Sequence, residues 1–585
     1  MTIQTANIFR RTADDEEADM LQCRDNYEKG EWQSWPNNGA FEGLEEHRGP
    51  IQLNVTGSIP SWAAGILYRT GPGQSVIEDT SRGTHRVSHW FDGFAHTHRF
   101  DIAPSANDNT QCSVTYSSRR QSDEFVELIR RKGWRTGISF AQKNDPCVGL
   151  FAKFMSYFLP SPVVNNVCVV ADMPEPSCAP PLQSARPKEP SNLYLTTDAA
   201  VLQKVDPRTL EPLGQARQTE LHPDLKGPLS CAHAQRDPET GDLFNVNVDL
   251  GIRVTYRIFR VNADSGTTDI LATISDKELP AAYIHSFFLT QNYVILCVPT
   301  SHLAWRGMRV LWERNVIEAL KPFNPKNKCK WVVVDRRHGK GVVATFSTPP
   351  AFFFHSINAF EEISQDESGN KVTSLYLDYI EFKSTDLMHF LYHDVLANRD
   401  GAGDKAMEQF GFKAVHSEFV RQKFNMHPQD RSRPYCRTAE KIFSIPNPHS
   451  GELPTINPHN VTKPYRYVYG IANRGRAFMI DTLVKTDLKT KEAMLWEGPV
   501  GHTPGEPIFI PRPGGVQEDD GLVLSLVLDG SASRSYLLCL DALTFEELGR
   551  AETNFAIPLG FHGSHVSSGD VAIEGRRGGN NDVAG

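Results

Sequence analysis

The sequence lacks the features that mark membrane-spanning and nucleic-acid-binding proteins. Its 585 residues contain no run of about 18 uninterrupted apolar residues, so no segment is predicted to cross a bilayer as a helix. Basic residues are not in excess, because 61 Lys and Arg stand against 70 Asp and Glu and leave a net charge of −9. This balance argues against nucleic acid as a partner, and against capture by anionic lipid through charge alone.

Paired cysteine motifs are also absent. The ten cysteines are scattered without a CxxC pair, and no secretory signal peptide precedes them. Disulfide frameworks persist in oxidising compartments, and structural zinc sites need closely spaced ligand pairs. We therefore expect reduced thiols in a cytoplasmic protein whose association with a membrane, if any, is peripheral.

What the sequence does contain is a loose repeat of strand pairs. An apolar alternating run ends in Asp or Asn, a turn follows, and a second strand-like run returns. The residues that end the first run are Asp206, Asn262, Asp335, Asp487 and Asp541. Such hairpins are typical of the outer strands of propeller blades, a fold that grows by adding blades to one large domain. The spacing is too irregular to count the blades.

Four histidines lie singly in apolar surroundings, far apart in the chain. His355 follows four apolar residues in AFFFHSINAFEE, and a buried imidazole needs partners for its nitrogens. The other three are His233 in PLSCAHAQRD, His285 in AAYIHSFFLT and His562 in FAIPLGFHGSH. Each one alone is explained as a satisfied core histidine. Together they are also candidates for metal ligands that come from four separate elements.

Three acids in apolar or proline-flanked settings favour the metal hypothesis. They are Asp198 in LYLTTDAA, Glu452 in GELPTINP and Glu506 in TPGEPIFIP. A metal-bound histidine usually donates its second ring N–H to a carboxylate or a carbonyl, which fixes its tautomer. Imidazole suits iron, copper, zinc and nickel, so the residue types do not identify the metal.

A second group of histidines is compact in sequence. Residues 82–100 contain His85, His89, His96 and His98, and the last two would share one face of a strand. By spacing alone, this segment is the more obvious metal site of the two. A structural or surface role is the alternative.

The chain resembles the carotenoid cleavage oxygenases through motifs that follow that family's order along most of its length. They include GILYRTGPGQ (65–74), HWFDGFAHTHRF (89–100), AHAQRDPETGDLFN (232–245), IHSFF (284–288), FHSINAFEE (354–362), ELPTINP (452–458), GEPIFIPRPGG (505–515) and IPLGFHG (557–563). The resemblance implies an all-β fold, a seven-bladed β-propeller with a helical and loop cap over one face. It also implies that the histidine-rich segment supplies no metal ligand, since its family counterpart supplies none.

The resemblance assigns roles to the dispersed histidines and acids. It implies that one Fe(II) ion is held by four ligands, His233, His285, His355 and His562. The acids implied behind these ligands are Asp198, Glu452 and Glu506. The family most often has Glu where Asp198 stands, so the shorter side chain puts that contact in question. No catalytic side chain beyond the ligands is expected, and O2 is the implied co-substrate, without haem, flavin or nicotinamide.

Three parts of the chain are predicted. Residues 1–45 are polar and form an N-terminal arm that is loose or lies on the body surface, 46–566 form the single propeller domain, and 567–585 form a Gly-rich disordered tail. Residues 385–445 interrupt the strand pattern with helix-like polar stretches and are predicted to contribute to the cap. No obligate protein partner is expected.

Two apolar segments are candidates for contact with a lipophilic substrate. In residues 145–171 one helical stripe contains Phe151, Phe154, Met155, Phe158 and Leu159. It is either a buried core helix or, as the resemblance implies, a patch that dips into a membrane or lipid-droplet surface at the mouth of a substrate tunnel. The aromatic run Phe352, Phe353 and Phe354 is either tunnel lining or plain core.

The implied reaction is oxidative cleavage of a conjugated C=C bond of a carotenoid. The chain most resembles the fungal torulene-cleaving branch, which forms an apocarotenal in xanthophyll biosynthesis. Retinal-forming cleavage of β-carotene or an apocarotenoid is the alternative, and non-oxidative retinoid isomerisation is a further one. Stilbene cleavage is disfavoured because Thr197 stands where stilbene-cleaving members carry a Lys.

Overall fold

Seven antiparallel sheets, arranged as the blades of a β-propeller, make up most of the described chain. The computed structural model describes residues 6–568 apart from 37, 42, 107, 144–162, 176–188 and 428–432. Within these residues each of the seven sheets has four to six strands, and one two-stranded hairpin stands apart. Strands that follow one another along the chain mostly pair in the same sheet, as expected of a propeller. The all-β, seven-bladed prediction is confirmed.

The blades are numbered here along the chain. Blade 1 contains Ile51–Gln52, Gly65–Gln74, Phe94–Pro104, Cys112–Arg120 and Gly563–Ser567. Blade 2 contains Cys168–Ala171, Leu193–Thr196, Val201–Val205 and Pro212–Arg217. Blade 3 contains Leu229–Ser230, Gln235–Arg236, Leu243–Asp249, Thr255–Val261 and Thr268–Ile274. Blade 4 contains Phe288–Leu289, Tyr293–Val298, Cys329–Asp335 and Val342–Thr348.

The remaining three blades complete the ring. Blade 5 contains Ser356–Gln365, Lys371–Phe382, Ser417–Met426 and Glu440–Pro446. Blade 6 contains Asn7–Arg11, Glu452–Thr455, Tyr467–Ala472, Thr482–Asp487 and Ala493–Glu497. Blade 7 contains Asn54–Gly57, His502–Pro504, Ile508–Pro511, Gly521–Asp529, Arg534–Asp541 and Glu547–Glu552. The separate hairpin consists of Val76–Thr80 and Gly83–Arg86.

The five hairpins predicted from a terminal Asp or Asn all form. In blade 2, Asp206 Oδ1 accepts hydrogen bonds from the backbone N–H groups of Arg208 and Thr209, at 2.9 and 2.8 Å. In blade 7, Asp541 Oδ1 accepts from Thr544 N in the same way. The corresponding contacts occur at Asn262, Asp335 and Asp487. These side chains replace the backbone acceptors that a tight turn leaves missing.

Both ends of the chain close the ring. The last strand, Gly563–Ser567, pairs with Gly65–Gln74 in blade 1. Near the start, Asn54–Gly57 pairs with the outer strand of blade 7 and Asn7–Arg11 with the outer strand of blade 6. Blades from opposite ends of the sequence are therefore joined by backbone hydrogen bonds.

Apolar clusters between neighbouring blades fix the blades to one another. Between blades 4 and 5, Trp331 stacks on Phe346 at 5.3 Å, and Phe346 stacks on Phe424 at 4.0 Å. Phe353 and Tyr379 complete this buried layer. Each fully buried aromatic side chain contributes roughly 1.5–3 kcal/mol of transfer free energy. This packing holds the ends of the inner strands, where the candidate site lies, in fixed positions.

Helices are short and few in the described chain. The α-helices are Glu16–Glu28, Asp123–Lys132, Gln218–Leu221, Met308–Glu313, Val316–Ala319, Leu387–Phe390, His393–Leu396, Ala402–Phe410 and Phe412–Val415. The 3-10 turns are Ala13–Asp15, Glu31–Ser34, Asn38–Ala40, Ser61–Ala63, Trp90–Asp92, Ala304–Gly307, Arg399–Gly401 and Pro458–Asn460. Four α-helices lie between 387 and 415, inside the segment predicted to join the cap. The predicted segment is longer than the helical part, because 417–426 and 440–446 are strands of blade 5.

Residues 6–36 lie against the body of the propeller. They form the strand Asn7–Arg11, the helix Glu16–Glu28 and the turn Glu31–Ser34. Below, the N-terminal arm means these residues, which are the larger part of the predicted arm 1–45. Cys23, Asn26, Tyr27 and Trp32 are its buried side chains. The sequence pattern predicts a loose or surface segment, because few side chains in it are apolar, yet these few are enough to dock it.

Two expectations drawn from absences concern cysteine and membranes. The eight cysteines in the described residues are all free thiols, and seven of them are buried. None of the helices that the structure describes combines the length and apolarity needed to cross a membrane.

Candidate metal centre

Four histidine side chains from four blades converge at one point. His233 lies between the two short strands that begin blade 3, and His285 lies just before the first strand of blade 4. His355 and His562 directly precede Ser356–Gln365 and Gly563–Ser567. One ring nitrogen of each histidine lies within 4.8 Å of the others. The Nε2 atoms of His233 and His285 are 3.1 Å apart, and those of His355 and His562 are 3.2 Å apart.

Asp198 lies behind His285 in spite of its short side chain. His285 Nδ1 is 2.9 Å from Asp198 Oδ2, and Ala232 N donates to Oδ1 at 3.0 Å. The Tyr283 hydroxyl donates to Oδ2 at 2.6 Å. Burial, and then the charge of Asp198, raise the pKa of Tyr283 well above its ordinary value, so the phenol keeps its proton and remains a donor. The contact that the shorter side chain put in question is therefore present.

Two glutamates occupy the same position behind two other histidines. His562 Nδ1 is 2.6 Å from Glu506 Oε1, and His355 Nδ1 contacts Glu452 Oε2. A carboxylate accepts the Nδ1–H, which leaves the lone pair of the neutral ring on Nε2. In three of the four histidines, the lone pair therefore faces the meeting point of the rings.

His233 differs from the other three because its neighbour is a thiol. Cys168 Sγ lies 3.6 Å from His233 Nδ1. Burial, and then the neighbouring histidines, hold the pKa of His233 well below its ordinary value. Burial also lowers the pKa of His562, although Glu506 opposes the shift. Both imidazoles are therefore neutral near neutral pH, which is the form that binds metals.

The donor set fits a divalent transition-metal ion. Nε2 lone pairs 3.1 to 3.2 Å apart repel each other. A cation bound between them accepts the lone pairs and removes the repulsion. Arg69 is buried beside the site, and its Nη1 lies 3.5 Å from Glu506 Oε2. Three carboxylates and one guanidinium leave two negative charges in a buried region. One divalent cation balances them, which buried charges require.

An apolar cavity reaches the centre. Three of the four histidines line it, together with side chains from the cap helices. The apolar lining includes Trp90, Phe91, Val167, Phe354, Phe382, Leu387, Leu391, Val415, Ile471, Met479, Ile480 and Phe561. The lining suits an apolar ligand that lies beside the histidines.

The three adjacent phenylalanines of the sequence have different positions. Phe354 lines the cavity. Phe353 packs into the layer between blades 4 and 5, and Phe352 stacks on Tyr283. Successive residues of extended chain point to opposite sides, so Phe353 points away from Phe354, and of the three only Phe354 lines the cavity. Trp90 also lines the cavity. Its motif, HWFDGF, attracts attention through its histidine, and no pattern in the sequence marks the tryptophan.

The compact histidine segment forms no comparable group among the described residues. His98 Nδ1 lies 2.8 Å from the hydroxyl of Tyr116. His89 Nε2 lies 2.9 Å from the carbonyl of Met388, and its Nδ1 accepts from Phe91 N. Among the described residues, the four converging histidines are the group whose geometry could hold a metal ion. The structural interpretation of residues 82–100 is the one that these contacts support.

The apolar stripe predicted in residues 145–171 falls mostly on 144–162. Its residues Phe151, Phe154, Met155, Phe158 and Leu159 lie outside the described residues. The membrane interpretation of that stripe stays a prediction.

Comparison with known proteins identifies the family. Residues 40–567 match the family model described as retinal pigment epithelial membrane protein. The chain is 52% identical over 576 residues to a torulene dioxygenase of Gibberella fujikuroi, across 97% of this chain and 100% of the relative. The chain belongs to the carotenoid cleavage oxygenase family. A carotenoid dioxygenase of Neurospora crassa is 48% identical to this carotenoid cleavage oxygenase, across 97% of both chains.

A solved structure has the same fold. Cobalt-substituted apocarotenoid oxygenase of Synechocystis matches this carotenoid cleavage oxygenase with a TM-score of 0.66 and 23% identity, across 92% of this chain and 98% of that chain. At this identity the likeness concerns the fold, and it confirms the propeller. Membership of the family makes the protein an oxygenase, as its motifs predict.

Proposed function

We propose that the protein is a non-haem Fe(II) dioxygenase that cleaves a conjugated C=C bond of a carotenoid, with torulene as the substrate and an apocarotenal as the product. The observation that carries the proposal is the apolar cavity that ends at four converging histidines. One Fe(II) ion per chain would be held by Nε2 of His233, His285, His355 and His562. When bound, ferrous iron supplies the activation of O2, and addition of both oxygen atoms across the C=C bond gives two carbonyl products.

The chain's own residues position the ligands and the substrate. Asp198, Glu452 and Glu506 hold the Nδ1–H groups, which fixes each ring and raises its basicity toward the metal. Phe354 and Phe561 form part of the apolar wall beside the histidines and exclude water from it. The described lining offers no general acid or base beside these groups, and the cleavage requires none.

Identity to relatives supports torulene over other polyenes. The torulene dioxygenase is 52% identical to this chain, whereas the β,β-carotene 15,15′-dioxygenase of Mus musculus is 28% identical. An apocarotenal from torulene would serve xanthophyll biosynthesis. Thr197, beside Asp198, offers no cation to a phenolic stilbene.

Product masses test the substrate. The iron-loaded protein is incubated under air in detergent micelles with torulene, β-carotene and resveratrol in parallel. We expect a long apocarotenal from torulene and little retinal from β-carotene. Retinal as the main product would instead indicate central cleavage, and hydroxybenzaldehydes would show that Thr197 does not exclude stilbenes. Turnover without oxygen uptake would replace the dioxygenase proposal with isomerisation.

We also propose that the protein is cytoplasmic and binds a membrane or lipid-droplet surface peripherally. Ile252, Trp305 and Trp312 are 88%, 61% and 60% exposed. Their loops are joined, because the Arg306 guanidinium donates to the Ile252 carbonyl at 2.6 Å. Met308, one helical turn before Trp312, extends the patch. Tryptophans with a flanking arginine are typical of an interfacial surface.

The position of this patch supports the lipid proposal. Ser139 N donates to the Arg314 carbonyl just after the helix that bears Trp312, so the chain that precedes the predicted apolar stripe in sequence lies beside the patch. Vesicles of phosphatidylcholine with phosphatidylserine test it. We expect W305S/W312S to float less than wild type. A control variant, I363S/V516S, removes two exposed apolar side chains elsewhere, at 63% and 95% exposure, and should float like wild type. Equal flotation of both variants would remove the role of the patch.

A further inference from the structure

The N-terminal arm is anchored at the outer edge of blade 6. Its strand Asn7–Arg11 pairs with Ala493–Glu497 along five residue pairs. Asp19 on the following helix accepts a hydrogen bond from His449 Nε2 at 2.8 Å, and it forms an ion pair with Arg11 at 3.2 Å. His449 is fully buried, so this contact joins the arm to the interior of the propeller.

The helix of the arm holds the loop 473–480 by three side chains on one face. Asn26 Nδ2 donates to the Arg474 carbonyl at 2.8 Å, and the Tyr27 hydroxyl donates to the Phe478 carbonyl at 2.6 Å. Cys23 Sγ lies 3.2 Å from the carbonyl of Asn473. The three residues are spaced i, i+3 and i+4, which places them on the same helical face. They supply donors to carbonyls of a loop that belongs to no strand.

The same loop forms a wall of the substrate cavity. Asn473, Met479 and Ile480 line the cavity, as does Ile471 in the strand that precedes the loop. Ile471 pairs with Glu452, the carboxylate behind a metal ligand. The loop therefore forms a wall of the cavity next to the strand pair that holds Glu452.

The arm also contacts the cap. The ring of Tyr27 packs against Phe412 of the cap at 5.6 Å, whereas Trp32 packs edge-on against Phe478 of the loop at 4.8 Å. Gln33 Nε2 donates to Asp404 Oδ1 at 2.6 Å. The helix Phe412–Val415 contributes Val415 to the cavity. The arm thus ties together two walls that come from different parts of the chain.

We propose that the N-terminal arm is a selectivity element of the cavity, which fixes the loop 473–480 and the cap so that the cavity accepts long polyenes in one register. This inference rests on the proposed polyene cleavage. The arm lies outside residues 40–567, the range that matches the family model. Loss of buried donors leaves loop carbonyls unpaired, and a loop in several conformations no longer forms a wall of fixed shape.

The test uses the full-length, iron-loaded protein with the double variant N26A/Y27F. The matched control is K29A, which removes an exposed ion pair with Asp25 at the end of the same helix. Hydrogen exchange is measured over 473–480, and kcat and KM are measured for torulene and for a shorter apocarotenal. We expect faster exchange in the loop and a loss of kcat/KM for torulene of about tenfold, mostly through KM. The shorter substrate and the iron content should be unaffected.

The measured quantity is the ratio of kcat/KM for torulene to kcat/KM for the shorter apocarotenal. The same ratio in N26A/Y27F and in K29A would overturn the proposal. If N26A/Y27F fails to fold, the single variants N26A and Y27F decide it by the same ratio, because each removes one donor of the arm to the loop. If wild type cleaves neither polyene, the proposed function fails and the inference is judged by binding. Quenching of tryptophan fluorescence then gives the affinity ratio of the two polyenes, whose shift in N26A/Y27F supports the selectivity role and whose constancy refutes it.

Discussion

The chain contains two groups of buried histidines whose surroundings are opposite. His96 and His98 lie on one strand of blade 1, and their rings stack 4.8 Å apart at an angle of 10°. The rings of the candidate centre meet edge to face, with His233 at 90° to His355 and 84° to His562. Stacked rings direct their nitrogens side by side, whereas rings from different directions can aim them at one point. Closeness in sequence therefore favours stacking, and convergence needs separate blades.

The two groups also differ in what lies behind the rings. Carboxylates face three of the four converging histidines. His98 instead faces the hydroxyl of Tyr116, and neither ring nitrogen of His96 has a hydrogen-bond partner among the described residues. An ionised acceptor strengthens an imidazole as a ligand, and a neutral hydroxyl does not. The predictions below test this contrast, beginning with the largest expected effect.

Removal of a converging histidine should abolish the centre. We expect H355A to lose iron and to lose cleavage activity by at least about 100-fold, because a metal ligand and its charged partner are uncoupled together. Iron per chain and polyene turnover are measured on the same sample. Retention of both iron and activity in H355A would contradict the assignment of the site.

Removal of a charge behind a ligand should weaken the centre without abolishing it. We expect E452Q to lower iron affinity by about 10- to 100-fold, since the amide accepts the His355 Nδ1–H without a negative charge. Competition with a chelator measures the affinity. The matched control is E361Q, which alters a half-buried acid bonded to Thr290 and Asn292 outside the site. Equal affinities in the two variants would mean that the charge of Glu452 is unimportant.

Arg69 tests whether buried charge balance distinguishes the two groups. We expect R69M to lower the free energy of unfolding by about 3 kcal/mol, because Glu506 is left without its buried cation. R69K should lose less, since it keeps the charge but not the hydrogen bonds to the carbonyls of Glu506 and Phe561. Chemical denaturation gives the values. Equal losses in both variants would show that packing, and not charge, explains the role of Arg69.

Alteration of the compact group should have the smallest effect. We expect H98F to keep full iron content and to lose about 1 kcal/mol of stability, because the Tyr116 hydroxyl loses one buried partner. Metal analysis and denaturation give the two quantities. Loss of iron in H98F would reverse the roles assigned to the two groups.

Local turn chemistry is the part of the fold that the sequence predicts well. The Asp and Asn residues that end the first strand of five hairpins act through contacts within a few residues. Their effect can therefore be predicted without tertiary information. Pairing between the ends of the chain depends on geometry that no local pattern contains. The closure of blade 1 by Gly563–Ser567 and of blade 6 by Asn7–Arg11 is therefore visible only in the structure.

The candidate site shows the same limit. Residue types alone left His355 open as a core histidine, and the resemblance to a family supplied the choice of ligands. Phe353 and Phe354 are identical in type and adjacent, so no pattern tells which one faces the cavity. The sequence predicts an arm that is loose or lies on the body surface, because its residues are mostly polar and its helix buries only Cys23, Asn26 and Tyr27. Small buried faces with a polar member leave almost no periodic signal.

X-ray absorption at the iron edge of the loaded protein tests most directly whether four imidazoles, and no carboxylate, hold the metal. We expect scattering from four histidine rings, with additional light atoms only from solvent or O2. A bound carboxylate, a sulfur neighbour from Cys168, or fewer than four imidazoles would contradict the convergence of His233, His285, His355 and His562 as a ligand set.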